Sequence, residues 1–219
     1  MNGAKKINFK ALSIRTLLSL FATTISSLGI GCYYGCGLGT DPISVFVDGL
    51  HNITGMSYGT ISTICNVIQT ALIFIFIRKY LGIGTLIGMF IGGPLIDISE
   101  ALIRVNFPLE STGLPVRIII LLVGLLTTGI GYGLGIASKM GIGCFQFIPL
   151  FLSEKTPLDL KYTQMISDGA FFIIGVILGG VIGIGTIVGV FLTGYILEYT
   201  LSLCEKRIDE LGPIVQENG

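Results

Sequence analysis

Six stretches of the chain stay apolar for roughly the twenty residues a helix needs to cross the hydrocarbon layer of a bilayer. They run from Leu12 to Tyr34, Tyr58 to Ile77, Ile83 to Ile103, Val116 to Ala137, Tyr162 to Val181 and Gly185 to Leu203. The last two form one uncharged run from Gly169 to Leu197, which needs a turn in its middle, and Gly179, Gly180, Gly183 and Gly185 supply it. Between the first two spans, Asp41-Pro42 reads as a helix cap followed by the first helical position. Ile43, Phe46, Val47 and Leu50 then recur at helical spacing opposite Ser44, Asp48 and His51. This predicts an amphipathic helix of about eleven residues, too short to span, that is either re-entrant or interfacial. Its counterpart from Cys144 to Leu152 is more apolar and contains Pro149, so it is expected to be shorter or kinked.

The chain repeats itself. Gly82 to Asp97 matches Gly183 to Glu198 with seven identities in sixteen positions, and most other pairs exchange similar apolar residues. Gly29, Gly31, Gly35, Cys36 and Gly39 align with Gly131, Gly133, Ala137, Ser138 and Gly141 at nearly the same offset. Two matches in register point to internal duplication. Three spans per half is an odd number, so the second half enters the membrane from the opposite side. The expected fold is an all-α integral membrane protein with six transmembrane helices in two inverted three-helix repeats, each with a short helix after its first span. Residues 1–107 make the first repeat, 108–205 the second and 206–219 a C-terminal tail.

Composition agrees with this pattern. The 219 residues are 52% hydrophobic and 12% charged, include 32 glycines, and have zero net charge; mean hydropathy is +0.87. Soluble domains carry about 25% charged residues, whereas abundant glycine suits closely packed membrane helices. Nothing in the balance of charge favours nucleic acid. Lysine and arginine test the topology, because they collect in cytoplasmic loops. With the N-terminus inside, eleven of them fall on the cytoplasmic side and only Arg104 and Arg117 outside. Both termini and the Arg78-Lys79 turn are therefore expected in the cytoplasm and the Asp41–Asn52 segment outside, in a multipass protein of the plasma membrane. The uncharged run from Leu17 to Leu38 exceeds a signal-peptide core and reads as a retained span. Five cysteines without CxxC spacing indicate packing residues rather than a disulfide framework.

The chain resembles the YitT/YczE/YyaS type of bacterial multipass membrane protein over roughly residues 10 to 205. The resemblance rests on Leu38-Gly39-Thr40-Asp41-Pro42, Thr54-Gly55-Met56-Ser57-Tyr58-Gly59, the Gly82-Ile83-Gly84-Thr85 turn with Gly93-Pro94-Leu95-Ile96-Asp97, Gly175 to Gly180, and Gly183-Ile184-Gly185-Thr186. It implies a plasma-membrane location and this architecture, and no defined activity. The sequence departs from the pattern at Cys144, where a proline usually follows Gly143, so the second short helix is not expected to begin as the first does.

Charged and polar groups inside a bilayer are costly and mark functional candidates. Asp168 lies about six residues, or about 9 Å, into the fifth span. There it must meet water, a polar partner such as Asn66, or a bound cation or proton, and it suits a proton-coupling role. Asp97 and Glu198 occupy equivalent places near the ends of spans three and six, where they either line a pathway or reach solvent. Asp41 is first of all a helix cap. Asn66 and Gln69 add a polar strip to span two, and Thr85 and Thr186 sit in the two Gly-Ile-Gly-Thr turns. Gly84, Gly88, Gly92, Gly175, Gly179, Gly183, Gly185 and Gly189 read as helix-packing positions. The single histidine leaves no metalloprotease motif or histidine dyad, there is no P-loop, and no cofactor or metal is called for. The expected function is a secondary transporter or permease for a small solute, a non-enzymatic role whose partners are the lipid bilayer and that solute; the alternative is a membrane scaffold or accessory subunit. A cavity lined by Asp168, Asn66 and both Gly-Ile-Gly-Thr turns would favour transport.

Overall fold

A computed structural model describes residues 6–39, 41–76, 81–109, 111–141 and 146–216. The Arg78-Lys79 turn and the Gly143-Cys144 step lie outside the described residues. Eight helices are present among the described ones: α1 (Phe9–Cys36), α2 (Pro42–Thr54), α3 (Tyr58–Phe76), α4 (Ile83–Asn106), α5 (Leu114–Ala137), α6 (Phe147–Lys155), α7 (Leu160–Ile177) and α8 (Ile184–Asp209). A two-residue antiparallel pair, β1 (Lys6–Ile7) with β2 (Val215–Gln216), joins the two ends of the chain.

Local chemistry sets the helix limits. Asn8 accepts a hydrogen bond from the Ala11 amide at 3.1 Å and so caps α1, which ends where Gly37 turns left-handed. Asp41 holds the N-cap position of α2 and Pro42 its first turn; Gly55 closes it, with φ +70° and its amide bonded to the His51 carbonyl. α6 is shorter, nine residues against thirteen, with Pro149 in its first turn, where a missing N–H costs little. Between α7 and α8, Gly179 at φ +85° makes the predicted turn.

Five helices, α1, α3, α4, α5 and α8, are long and apolar enough to cross a membrane. α7 has eighteen residues but carries Lys161, Gln164 and Asp168, and falls outside that group. The body has its polarity reversed relative to a soluble domain. Large apolar side chains project outward, among them Leu17 at 65% exposure, Phe90 at 65% and Ile177 at 78%, while serines, threonines, Asn66, Gln164 and Asp168 are buried. Water does not tolerate so extensive an apolar exterior; lipid does. α8 runs on to Asp209, past the expected start of the tail, and Arg15 donates to the carbonyls of Ile208 and Gly212 at 3.1 Å, so the C-terminal segment is tied to the start of α1.

The glycine pairs recur between the halves. α1 crosses α5 where Gly29 faces Thr128 and Gly131 faces Ser26, the aligned counterpart of Thr128. Gly31 packs on Ser99 of α4 and Gly133 on Thr200 of α8. The Gly84 amide donates to the Met140 carbonyl at 2.8 Å and the Gly185 amide to the Leu38 carbonyl at 3.2 Å. Met140 follows Lys139, which pairs with Asp209 near the chain ends, whereas Leu38 follows the far end of α1. The two Gly-Ile-Gly-Thr segments thus sit at opposite ends of α1, each seated on the loop of the other half.

Candidate functional site

A partly open cleft of about 80 Å³, mainly apolar with polar groups interspersed, lies among α1, α3, α4 and α5. Ser19, Ser26 and Ser27 reach it from α1, Ser62 and Asn66 from α3, Tyr132 from α5, and Gly84, Gly88 and Gly92 form its α4 wall; Gln146 closes one side. Asn66 donates to the Gly88 carbonyl at 3.4 Å. A Cβ at Gly88 would meet no atom within 4 Å. This glycine therefore leaves the cleft open rather than seating a neighbouring helix. Gly92 has only ordinary contacts with Ser27 and Thr23 beyond 3.5 Å, while Gly84 packs on Ser19. Of the expected lining, Asn66 and the first Gly-Ile-Gly-Thr turn are present; Asp168 and the second turn are not among the residues that line it.

Asp168 is instead buried in the helical body, away from the residues that line the cleft. It is 1% exposed and accepts from the Gln164 amide at 2.8 Å, one helical turn earlier. Asp41, 3% exposed, bonds the Ser44 hydroxyl. Tyr33 of α1 and Tyr132 of α5 bring two further hydroxyls into the interior. Those two hydroxyls and the Gln164 side-chain oxygen are buried without a hydrogen-bond partner. Burial pushes the Asp41 carboxyl up to about 6, against the lowering effect of the Ser44 hydroxyl and nearby backbone amides. No cationic side chain among the described residues pairs with either acid. Gly189, aligned with Gly88, faces Pro42 and Asp41, with Pro42 Cδ 3.2 Å from the place of its Cβ. The space that is open beside Gly88 is filled here by the start of α2.

The remaining candidates hold helix ends. Asp97 accepts from the Gly59 amide at 2.8 Å and the Ser57 hydroxyl at 2.9 Å, capping α3 from across the helix pair. Glu198 lies 3.6 Å from Lys161 at the start of α7, with its second oxygen buried and unpartnered. Thr186 accepts from the Gly183 amide at 3.3 Å and so fixes the start of α8; Thr85 is fully buried against Gly141. Gln69 is buried with its side-chain oxygen unpartnered. Gly175 packs on the α2 backbone at Val45 and Phe46, Gly183 on Leu38 and Gly185 on Leu121, while Gly179 serves the turn alone.

Asp48 ties three elements together, which the sequence pattern, placing it only on a polar helix face, did not foresee. It is buried, accepts from the Tyr58 hydroxyl at 3.2 Å and from the Val181 amide at 2.7 Å, and so locks α2 to α3 and to the α7–α8 turn. α2 as a whole is packed into the body against α7, α3 and α8.

Residues 13–201 match a family described as a family of unknown function, DUF6198. The chain is 27% identical over 183 residues to the uncharacterized protein YyaS of Bacillus subtilis, covering 84% of this chain and 90% of YyaS. It is 25% identical over 200 residues to an uncharacterized protein of Haemophilus influenzae, covering 90% and 86% of the two chains. The uncharacterized membrane protein YczE of Bacillus subtilis is 28% identical over 167 residues, covering 76% and 75%. No solved structure matches.

Proposed function

Because the chain belongs to the DUF6198 family, and is a membrane protein of the YczE and YyaS type, we propose that it is a secondary transporter or permease for a small polar solute. The observation that carries this reading is the cleft, where serine hydroxyls, Asn66 and Gln146 interrupt a mainly apolar wall inside the helical body. An open space that holds hydroxyls and amides within an apolar body is costly unless those groups find a polar partner there. The reciprocal seating of the two Gly-Ile-Gly-Thr segments supports six spans, with α7 as the fifth, arranged as two inverted repeats in the plasma membrane with both termini cytoplasmic. Such an arrangement places substrate groups at the repeat interface, which is where the cleft borders α1 and α5.

Metabolite profiles of cells lacking the protein, cells carrying it and cells carrying Gly88→Phe test this. Gly88→Phe projects a ring into the cleft. We expect one or a few small polar solutes to change with the wild type and return to the empty-cell level with Gly88→Phe at equal membrane abundance. Identical profiles in all three would favour a scaffold. With the solute known, Asp168→Asn in liposomes should bind solute while losing uptake driven by an ion gradient.

A further inference from the structure

We propose that the cleft among α1, α3 and α4 binds a small uncharged solute bearing hydroxyl or amide groups and rejects ions of the same size. α1 and α4 run side by side there: Ser19 packs on Gly84, and eight residues later on both helices Ser27 Oγ lies 3.7 Å from the place of a Gly92 Cβ. At Gly88, between these contacts, nothing comes within 4 Å of the corresponding place, so the two helices part. Polar groups stand along the gap at intervals of about 6 Å, the rise of four helical residues. They are the Ser19 hydroxyl, the Asn66 side chain with its 3.4 Å bond to the Gly88 carbonyl, and the Ser27 hydroxyl; Ser62 joins them from α3. Ser19, Ser27 and Ser62 are each at least nine-tenths buried, line the cleft, and have no hydrogen-bond partner among the described residues. Each hydroxyl can both donate and accept, and each is costly until something in the space bonds it.

The lining decides the charge of the solute. None of the described lining residues carries a carboxylate, an ammonium or a guanidinium group, so an ion entering would shed its water without meeting a countercharge. The start of α4 supplies none either, because its amides are engaged: Gly84 donates to the Met140 carbonyl at 2.8 Å and Thr85 to the Gly82 carbonyl at 3.1 Å. The volume decides its size. At roughly 10–15 Å³ for each water-sized body, 80 Å³ holds about five to eight, which matches a molecule of as many non-hydrogen atoms. The mainly apolar wall accepts its carbon skeleton.

As the substrate class of a transporter this rests on the reading above, but binding is measured without transport. In the full chain without native cysteines, Gly88→Cys puts a thiol into the open space. Its alkylation by iodoacetamide is compared with that by iodoacetate, a charged reagent of the same size, using Ser111→Cys at an exposed position as reference. We expect the amide-to-acid rate ratio at Gly88→Cys to exceed the reference ratio by about tenfold or more, since the acid must leave water uncompensated. Lactamide should slow this alkylation saturably, whereas lactate, its charged isostere, and protonated 1-amino-2-propanol should not. Ser27→Ala and Ser62→Ala should each raise the half-protecting lactamide concentration about fivefold, the loss of one hydrogen bond. Should Gly88→Cys fail to fold, Ser62→Cys reports from the same cleft, with Ser27→Ala as its partner variant. Equal rate ratios at the two positions, equal protection by lactate, or protection unchanged in the serine-to-alanine variants would each overturn the proposal. So would no protection by lactamide, the result for a cleft filled by water or lipid alone. Protection without any solute uptake into liposomes would remove the transporter and keep the site; uptake confined to charged solutes would do the reverse.

Discussion

Asp41 and Asp97 are both carboxyls at helix starts, and their surroundings set them to different tasks. Asp97 is half-buried with two donors, so Asp97→Ala should remove a cap from α3 and cost about 1 kcal/mol, read as a lowered thermal midpoint. Asp41 is buried with its value raised from 3.8 to about 6. The folded protein therefore holds this proton more tightly than the unfolded chain does. The stability it contributes is fully present below 3.8 and is lost as pH rises through about 6, amounting to at most about 3 kcal/mol. Thermal midpoints of the detergent-solubilised protein should fall across that window, and Asp41→Asn should flatten the fall. An unchanged slope in that variant would assign the pH dependence to another group.

Helix crossings are set by small residues, but not every small residue is a crossing. Gly175 meets the backbone of Val45 and Phe46, and a backbone cannot step aside as a side-chain tip does. Gly175→Ala should therefore separate α2 from α7 and cost about 1–3 kcal/mol as overpacking. Gly88→Ala meets open space, so its expected effect is no loss, or a gain of up to about 1 kcal/mol from helix propensity. Thermal midpoints of the two variants check both. Equal destabilisation would mean that the cleft wall packs against something. Four-residue glycine spacing makes Gly84, Gly88 and Gly92 look alike, and only the neighbours opposite them tell packing from vacancy.

Over the whole molecule, cationic side chains divide between two ends. Arg15 and Lys139 sit with the C-terminal segment at the start of α1, while Arg104 and Arg117 bond the carbonyls of Tyr34, Cys36 and Gly37 at its far end. In a variant without native cysteines, a cysteine placed at Ser111 should react with an impermeant reagent from outside the cell and one at Glu205 only after permeabilisation. Both positions are exposed or at a chain turn. Labelling of both from the same side would end the inverted-repeat arrangement.

Five of the six apolar stretches reappear as helices long enough to cross a membrane, and the glycine turn after α7 falls where the sequence places it. In lipid every backbone donor and acceptor must be satisfied within its own helix, so twenty apolar residues dictate a helix wherever they occur. The glycines at 179 and 183, the Asp41-Pro42 cap and Pro149 in the first turn of α6 act equally locally. The resemblance to the YczE and YyaS type was likewise legible from short motifs. Which polar side chains share a space is left to long-range packing. Asn66 and Asp168, alike as polar residues in a span, go respectively to an open cleft and to the closed interior, because the rotation of each helix about its axis is fixed by its neighbours rather than by its own sequence period. Asp48 reaches Val181 only because α2 folds into the body against α7. An amphipathic pattern describes a helix with two different faces; it does not say what each face will meet.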